Sequence, residues 1–184
     1  DNFLKDLRKS PLLVNSCRGE IFDSGAVKNA LDSGSIAGLI IDCWENEPEI
    51  DLELLEKTDF ATAHIAGYSR DGKAVGTMMS IRAVSRFFEL GIDDWQPTGV
   101  ELPEQAQIQI DGQNKDQESL LAEAVLATYD ILADDQRLRA CPGAFERLRG
   151  DYPVRREFHN YRIEVRNVHK STVSALKRMG FQLP

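Results

Sequence analysis

The chain has 184 residues, 42% hydrophobic and 28% charged, with a formal net charge of −8. That balance suits a globular protein, its sign disfavours general nucleic-acid binding, and no apolar run nears the roughly 20 residues of a membrane-spanning helix. The three cysteines, Cys17, Cys43 and Cys141, are widely spaced, which argues against a disulfide framework and a structural zinc site and for a reducing, cytoplasmic setting.

In chain order, the opening DNFLKDL reads as the middle of a helix, with neither an initiator methionine nor a signal peptide. The expectation is a fragment of a longer protein. PLLVN (11–15) is a short apolar strand, and SGAVKNALDSG (24–34) has helical spacing with Ser24 as cap and Gly34 as stop. IAGLIID (36–42) is a continuous apolar run, as in a strand covered on both faces. LELLEK (52–57) predicts a short helix and FATAHI (60–65) another extended run. Strand, helix, strand, short helix, strand reads as part of a parallel α/β sheet whose other strands lie outside this chain.

Residues 72–90 place Val75, Met78, Ile81, Val84 and Phe88 on one stripe of a long amphipathic helix. The Gly-, Pro- and acid-containing stretch 91–105 reads as a linker. AQIQID (106–111) alternates as a strand does, and one amphipathic helix is expected over 114–138, carrying Leu120, Leu121, Ala124, Val125, Thr128, Ile131 and Leu132. A helix started by Pro142, an alternating segment at 157–165 and a closing helix stopped by Gly180 complete a small α+β unit. Residues 135–184 hold 11 basic and 5 acidic residues, which reads first as a solvated or interface face.

The chemistry-bearing residues stand at the ends of the early strands. Arg18 follows the first, Asp42 and then Glu47 follow the second, and His64 follows the small residues of the third. In an open α/β sheet, ligands bind beyond the carboxyl ends of the strands. Singly, Glu47 reads as a surface acid and His64 as a core histidine, and a solvated loop position stays open as the alternative for Arg18. Together they form a set: a histidine accepts a hydroxyl proton, a carboxylate on its other nitrogen fixes its tautomer, and an arginine fork grips a carboxylate. Those parts suffice to oxidise a 2-hydroxy acid by hydride loss to a cofactor, without a metal.

The stretch LLVNSCRGEIFDSGAVKNALDSGSIAGLIIDCWENEPE, followed by ATAHIAG, resembles the end of the nucleotide-binding domain of the D-isomer-specific 2-hydroxyacid dehydrogenases. The family pattern is Asn-x-x-Arg-Gly, then Asp-Val-(Phe/Trp)-x-x-Glu-Pro, then His-Ile-(Ala/Gly)-Gly. Cys43 replaces the usual valine, and Ala63 stands where proline is common. The resemblance implies NAD as cofactor, with Cys17, Arg18, Asp42 and Gly67 against it and Asp42 at the nicotinamide carboxamide. Arg18 would also bind the substrate carboxylate, Glu47 would pair with His64, and His64 would be the acid/base. The implied fold is α/β, the C-terminal part of a Rossmann-type parallel sheet domain (1–66). A long helix (67–94) returns towards the substrate domain, and a small α+β C-terminal dimerisation domain covers 95–184.

That tail resembles an appended domain of family members that act on a small phosphorylated 2-hydroxy acid as cytoplasmic homodimers. The same resemblance puts Tyr68 against substrate, although a packing role at a helix start also fits it. Arg70 and Lys73 are weaker candidates for the phosphate. No nucleic acid or membrane partner is expected. Because no G-x-G-x-x-G occurs, the chain by itself is expected neither to bind NAD tightly nor to turn over. Two alternatives stay open: another family member, such as a phosphoglycerate dehydrogenase with a different appended domain, and a purely associative module with incomplete dehydrogenase motifs.

Overall fold

The structure is a computed structural model and describes residues 2–184. It divides into two units, one made of residues 1–66 with 131–152 and the other of 67–130 with 153–184.

The first unit opens with α1 (Asn2–Lys5) and is built on β1 (Leu12–Asn15), α2 (Ser24–Asp32), β2 (Gly38–Ile41), α3 (Leu52–Lys57) and β3 (Phe60–Ala61). All three strands are parallel in the order β1-β2-β3, with Asn15 opposite Ile41 and Ile41 opposite Ala61. Their carboxyl ends are therefore level. Helix α2 is capped by Asp23, not Ser24: the Asp23 carboxylate accepts from Ala26 N at 2.6 Å, and an aspartate is at least as good a cap as serine. Gly34 follows the helix at φ +72°, a conformation glycine adopts without a Cβ penalty. Leu39, Ile41, Val27, Leu54 and Ala61 form the core on this sheet.

The extended run expected over 60–65 pairs as a strand only at Phe60–Ala61. Beyond it the backbone wraps Asp42 instead of a neighbouring strand. Helices α6 (Leu132–Ala140) and α7 (Phe145–Gly150) also belong to this unit, with Leu138 and Phe145 fully buried in the same core. The single helix expected over 114–138 is thus two, because Tyr129 takes extended backbone (φ −165°, ψ 130°) and ends α5 (Gln117–Thr128). The segment begun by Pro142 is a 3-10 turn leading into α7.

In the second unit α4 (Arg70–Phe88) is capped by Ser69, whose hydroxyl accepts from Gly72 N at 2.9 Å. Its predicted stripe stays largely uncovered within the unit, with Val75, Val84 and Phe88 exposed. Strands β4 (Gln107–Asp111) and β5 (Arg162–Arg166) are parallel, and α5 and α8 (Lys170–Met179) supply their cover through Leu120, Ala124 and Leu176. Residues 158–160, read as extended, form a 3-10 turn that stacks Phe158 on Phe181 at 4.5 Å. Asp71, in the first turn of α4, accepts from Arg156 Nε and Nη2 at 2.9 Å each and from Glu157 N at 2.8 Å.

Candidate active site

The site residues of the first unit are positioned by hydrogen bonds at the three level strand ends. Asn15, buried at the end of β1, donates through Nδ2 to the Arg18 and Cys43 carbonyls at 3.0 and 2.8 Å and accepts from Cys17 N at 3.1 Å. It holds the Cys17–Arg18 turn beside the end of β2. Gly19 lets that turn close, because a Cβ there would meet the Trp44 carbonyl oxygen at 1.9 Å. Cys17 and Arg18 are exposed. Arg18 donates Nη1 to the Cys17 carbonyl at 2.7 Å.

Asp42, 6% exposed at the end of β2, organises the next segment. Its Oδ1 accepts from Thr62 Oγ1 and Ile65 N, both at 2.7 Å, and its Oδ2 from Ala66 N at 3.0 Å. Cys43 Sγ also donates to Oδ2 at 3.7 Å, so each oxygen of this buried carboxylate has two donors. Burial, then the charges of Asp42 and Glu47, push the neighbouring Cys43 thiol up to about 12, partly offset by Arg18. Cys43 is therefore an inert filler, and the guanidinium of Arg18 is close enough to be felt there.

Glu47 and His64 come together directly. Glu47 Oε1 accepts from Trp44 N at 2.7 Å, and Oε2 lies 2.8 Å from His64 Nδ1. Trp44 is itself fixed by its indole N–H, which donates to the Thr62 carbonyl at 2.8 Å. His64 and Glu47 are both largely covered, with side chains 21% and 18% exposed respectively. A carboxylate at Nδ1 keeps the proton there and leaves Nε2 as the basic nitrogen. Among the described residues none binds Nε2. His64 also sits at φ +52°, in the left-handed region, held by its N–H donating to the Asp42 carbonyl at 2.8 Å. A non-glycine residue held there costs energy and marks a position that its surroundings over-determine.

Gly67, at φ +82°, and Tyr68 begin the second unit. The Tyr68 ring lies under Lys73 Nζ, 4.2 Å from its centroid. The structure thus brings Arg18, Asp42, Glu47 and His64 to one sheet edge, and it places Gly67 and Tyr68 in the turn that follows. Reasoning from sequence passed over Asn15, Gly19, Trp44 and Thr62, which hold these groups in place. Asn15 and Gly19 had a signal, since both stand in the Asn-x-x-Arg-Gly pattern. Trp44 had one as well, standing at the Phe/Trp position of the second pattern, and Thr62 had none.

Residues 1–66 match the model of the D-isomer specific 2-hydroxyacid dehydrogenase NAD-binding domain. Residues 100–180 match a domain described only as of unknown function (DUF3410). Among curated proteins, the chain is 44% identical over 164 residues to an erythronate-4-phosphate dehydrogenase of Bacteroides fragilis, covering 89% of this chain and 44% of that protein. It is 38% identical over 187 residues to one of Serratia proteamaculans, and 36% over 189 residues to one of Marinobacter nauticus. Those alignments cover 97% and 98% of this chain and 48% and 49% of the relatives. The chain spans about half the length of the curated relatives it matches. Among the described residues no helix is long and apolar enough to cross a membrane.

The strand ends fit the reactive end of a dehydrogenase site of this family. They offer an exposed arginine, a histidine ring nitrogen and a buried carboxylate. A nicotinamide beside a 2-hydroxy acid needs that donor and acceptor set.

Proposed function

We propose that this chain is part of an NAD-dependent dehydrogenase that oxidises 4-phospho-D-erythronate to (R)-3-hydroxy-2-oxo-4-phosphooxybutanoate. In that reading it serves pyridoxine 5'-phosphate synthesis as a cytoplasmic homodimer, associated through residues 95–184. The observation that carries the reaction class is the Glu47–His64 pair at 2.8 Å at the carboxyl edge of the sheet, the edge at which Arg18 also follows a strand. The substrate rests on the shared name of the relatives.

NAD, when bound, would supply the hydride acceptor for C2 of the substrate. His64 Nε2 takes the proton of the C2 hydroxyl. Glu47 holds the Nδ1 proton and stabilises the imidazolium that results, while its own Oε1 stays anchored on Trp44 N. Arg18 grips the substrate carboxylate through its guanidinium fork and polarises the adjacent oxygen. Asp42 keeps the 65–66 backbone in place and would hold the nicotinamide carboxamide, with Cys17 and Gly67 as the other residues that would hold the cofactor. Tyr68 touches the substrate.

The test is steady-state NADH formation by the full-length protein. His64→Ala is expected to lose roughly 10²–10⁴-fold in rate, the span of general base catalysis. A variant within threefold of wild type defeats the assignment.

A further inference from the structure

We propose that α6 is a positioning element for His64, and that Asp135 and Arg139 are its working residues. This rests on the reading of His64 as the proton acceptor.

The strand leading to His64 is short and forms the edge of the described sheet. An edge strand has backbone groups without strand partners and moves unless something covers it. Here α6 covers it. Asp135 Oδ1 accepts from Ala61 N at 2.7 Å, three residues before His64. Arg139 donates Nε to both oxygens of Asp135, at 3.0 and 2.9 Å, which fixes the carboxylate in that pose. Its remaining donors reach the Leu55 carbonyl at 2.8 Å and the Thr58 carbonyl at 2.7 Å, at the end of α3. One guanidinium therefore closes α3 and sets the carboxylate that pins β3.

Packing acts at the same place. Leu138 and Phe145 are 0% exposed and share a core with Ala61 and Ala63. Ala63 precedes His64 directly, so the apolar floor of the histidine loop is made partly of α6 and α7. From Ala63 onward the loop is fastened to Asp42 on its other side. The segment that carries His64 is thus fastened at Ala61 to Asp135 on α6 and at Ile65 and Ala66 to Asp42 at the end of β2. A base set within hydrogen-bonding reach loses efficiency steeply when its support shifts. A segment far along the chain from the strand motifs thereby reaches the reaction by setting where Nε2 stands.

The experiment is kinetic and uses the full-length protein with Asp135→Ala, Asp135→Asn and His64→Ala. Asp135→Ala is expected to lower kcat about tenfold per folded molecule, with KM for NAD and acid within about twofold. It is also expected to raise the deuterium isotope effect on kcat for substrate deuterated at C2. Asp135→Asn, which keeps an oxygen for Ala61 N–H, is expected to recover kcat to within about threefold. If Asp135→Ala does not fold, Arg139→Gln is read the same way. Wild-type kcat and isotope effect in the folded Asp135→Ala protein, beside a crippled His64→Ala, overturn the positioning role alone. A His64→Ala protein near wild type removes the reading beneath it, and this proposal with it.

Discussion

Glu47 uses its two oxygens for two purposes, Oε1 on the Trp44 N–H and Oε2 on His64. Only the second depends strongly on charge. Glu47→Gln in the full-length protein is therefore expected to keep the turn and to lower kcat by roughly tenfold to a hundredfold, with KM for NAD little changed. Steady-state kinetics check this, and an unchanged kcat would show that the carboxylate does not tune the ring. The pairing itself was legible in the sequence, because an acid before proline and a histidine after a small-residue strand stood in a recognisable order. The way it is held was not. Nothing in ATAHIAG announces that His64 adopts a left-handed backbone or that the strand breaks off at Ala61. Those follow from Asp42 drawing the 62–66 backbone onto its own carboxylate, a contact between segments about twenty residues apart.

At the level of elements, Asp71 fastens the first turn of α4 to the segment around Arg156. Burial alone would raise its carboxyl, but hydrogen bonds from Arg156, Glu157 N–H and Asn160 outweigh that and hold it down to about 2. A folded-state value below the ordinary 3.8 means the ionised form favours folding. This stabilisation is present above about pH 4 and disappears as the pH falls towards 2. Urea unfolding of wild type and Asp71→Asn should therefore differ at pH 6 and converge near pH 2; a constant difference across that range would contradict it. Helix and strand periods found most elements here to within a few residues. They failed at 114–138, where leucine and alanine spacing runs on through Tyr129 and gives no sign that the chain turns there. Leu120 and Leu138 look alike in the sequence and are buried in separate cores. The stripe on α4 shows the converse: its amphipathic period is real, yet Val75, Val84 and Phe88 remain exposed.

For the molecule as a whole, the proposed function assigns the proton acceptor and the carboxylate grip to the described strand ends, whereas no glycine-rich dinucleotide turn occurs in the 184 residues. Pyrophosphate binding contributes much of a dinucleotide's grip. The 184-residue chain alone is thus expected to show no micromolar binding when titrated with NADH by fluorescence; saturation in that range would contradict it. The substrate is tested most directly by NADH formation in the full-length protein offered 4-phospho-D-erythronate and 3-phosphoglycerate in parallel. The predicted result is a higher kcat/KM for the four-carbon acid by at least about tenfold, the order that added binding contacts give. A higher kcat/KM for 3-phosphoglycerate would contradict it.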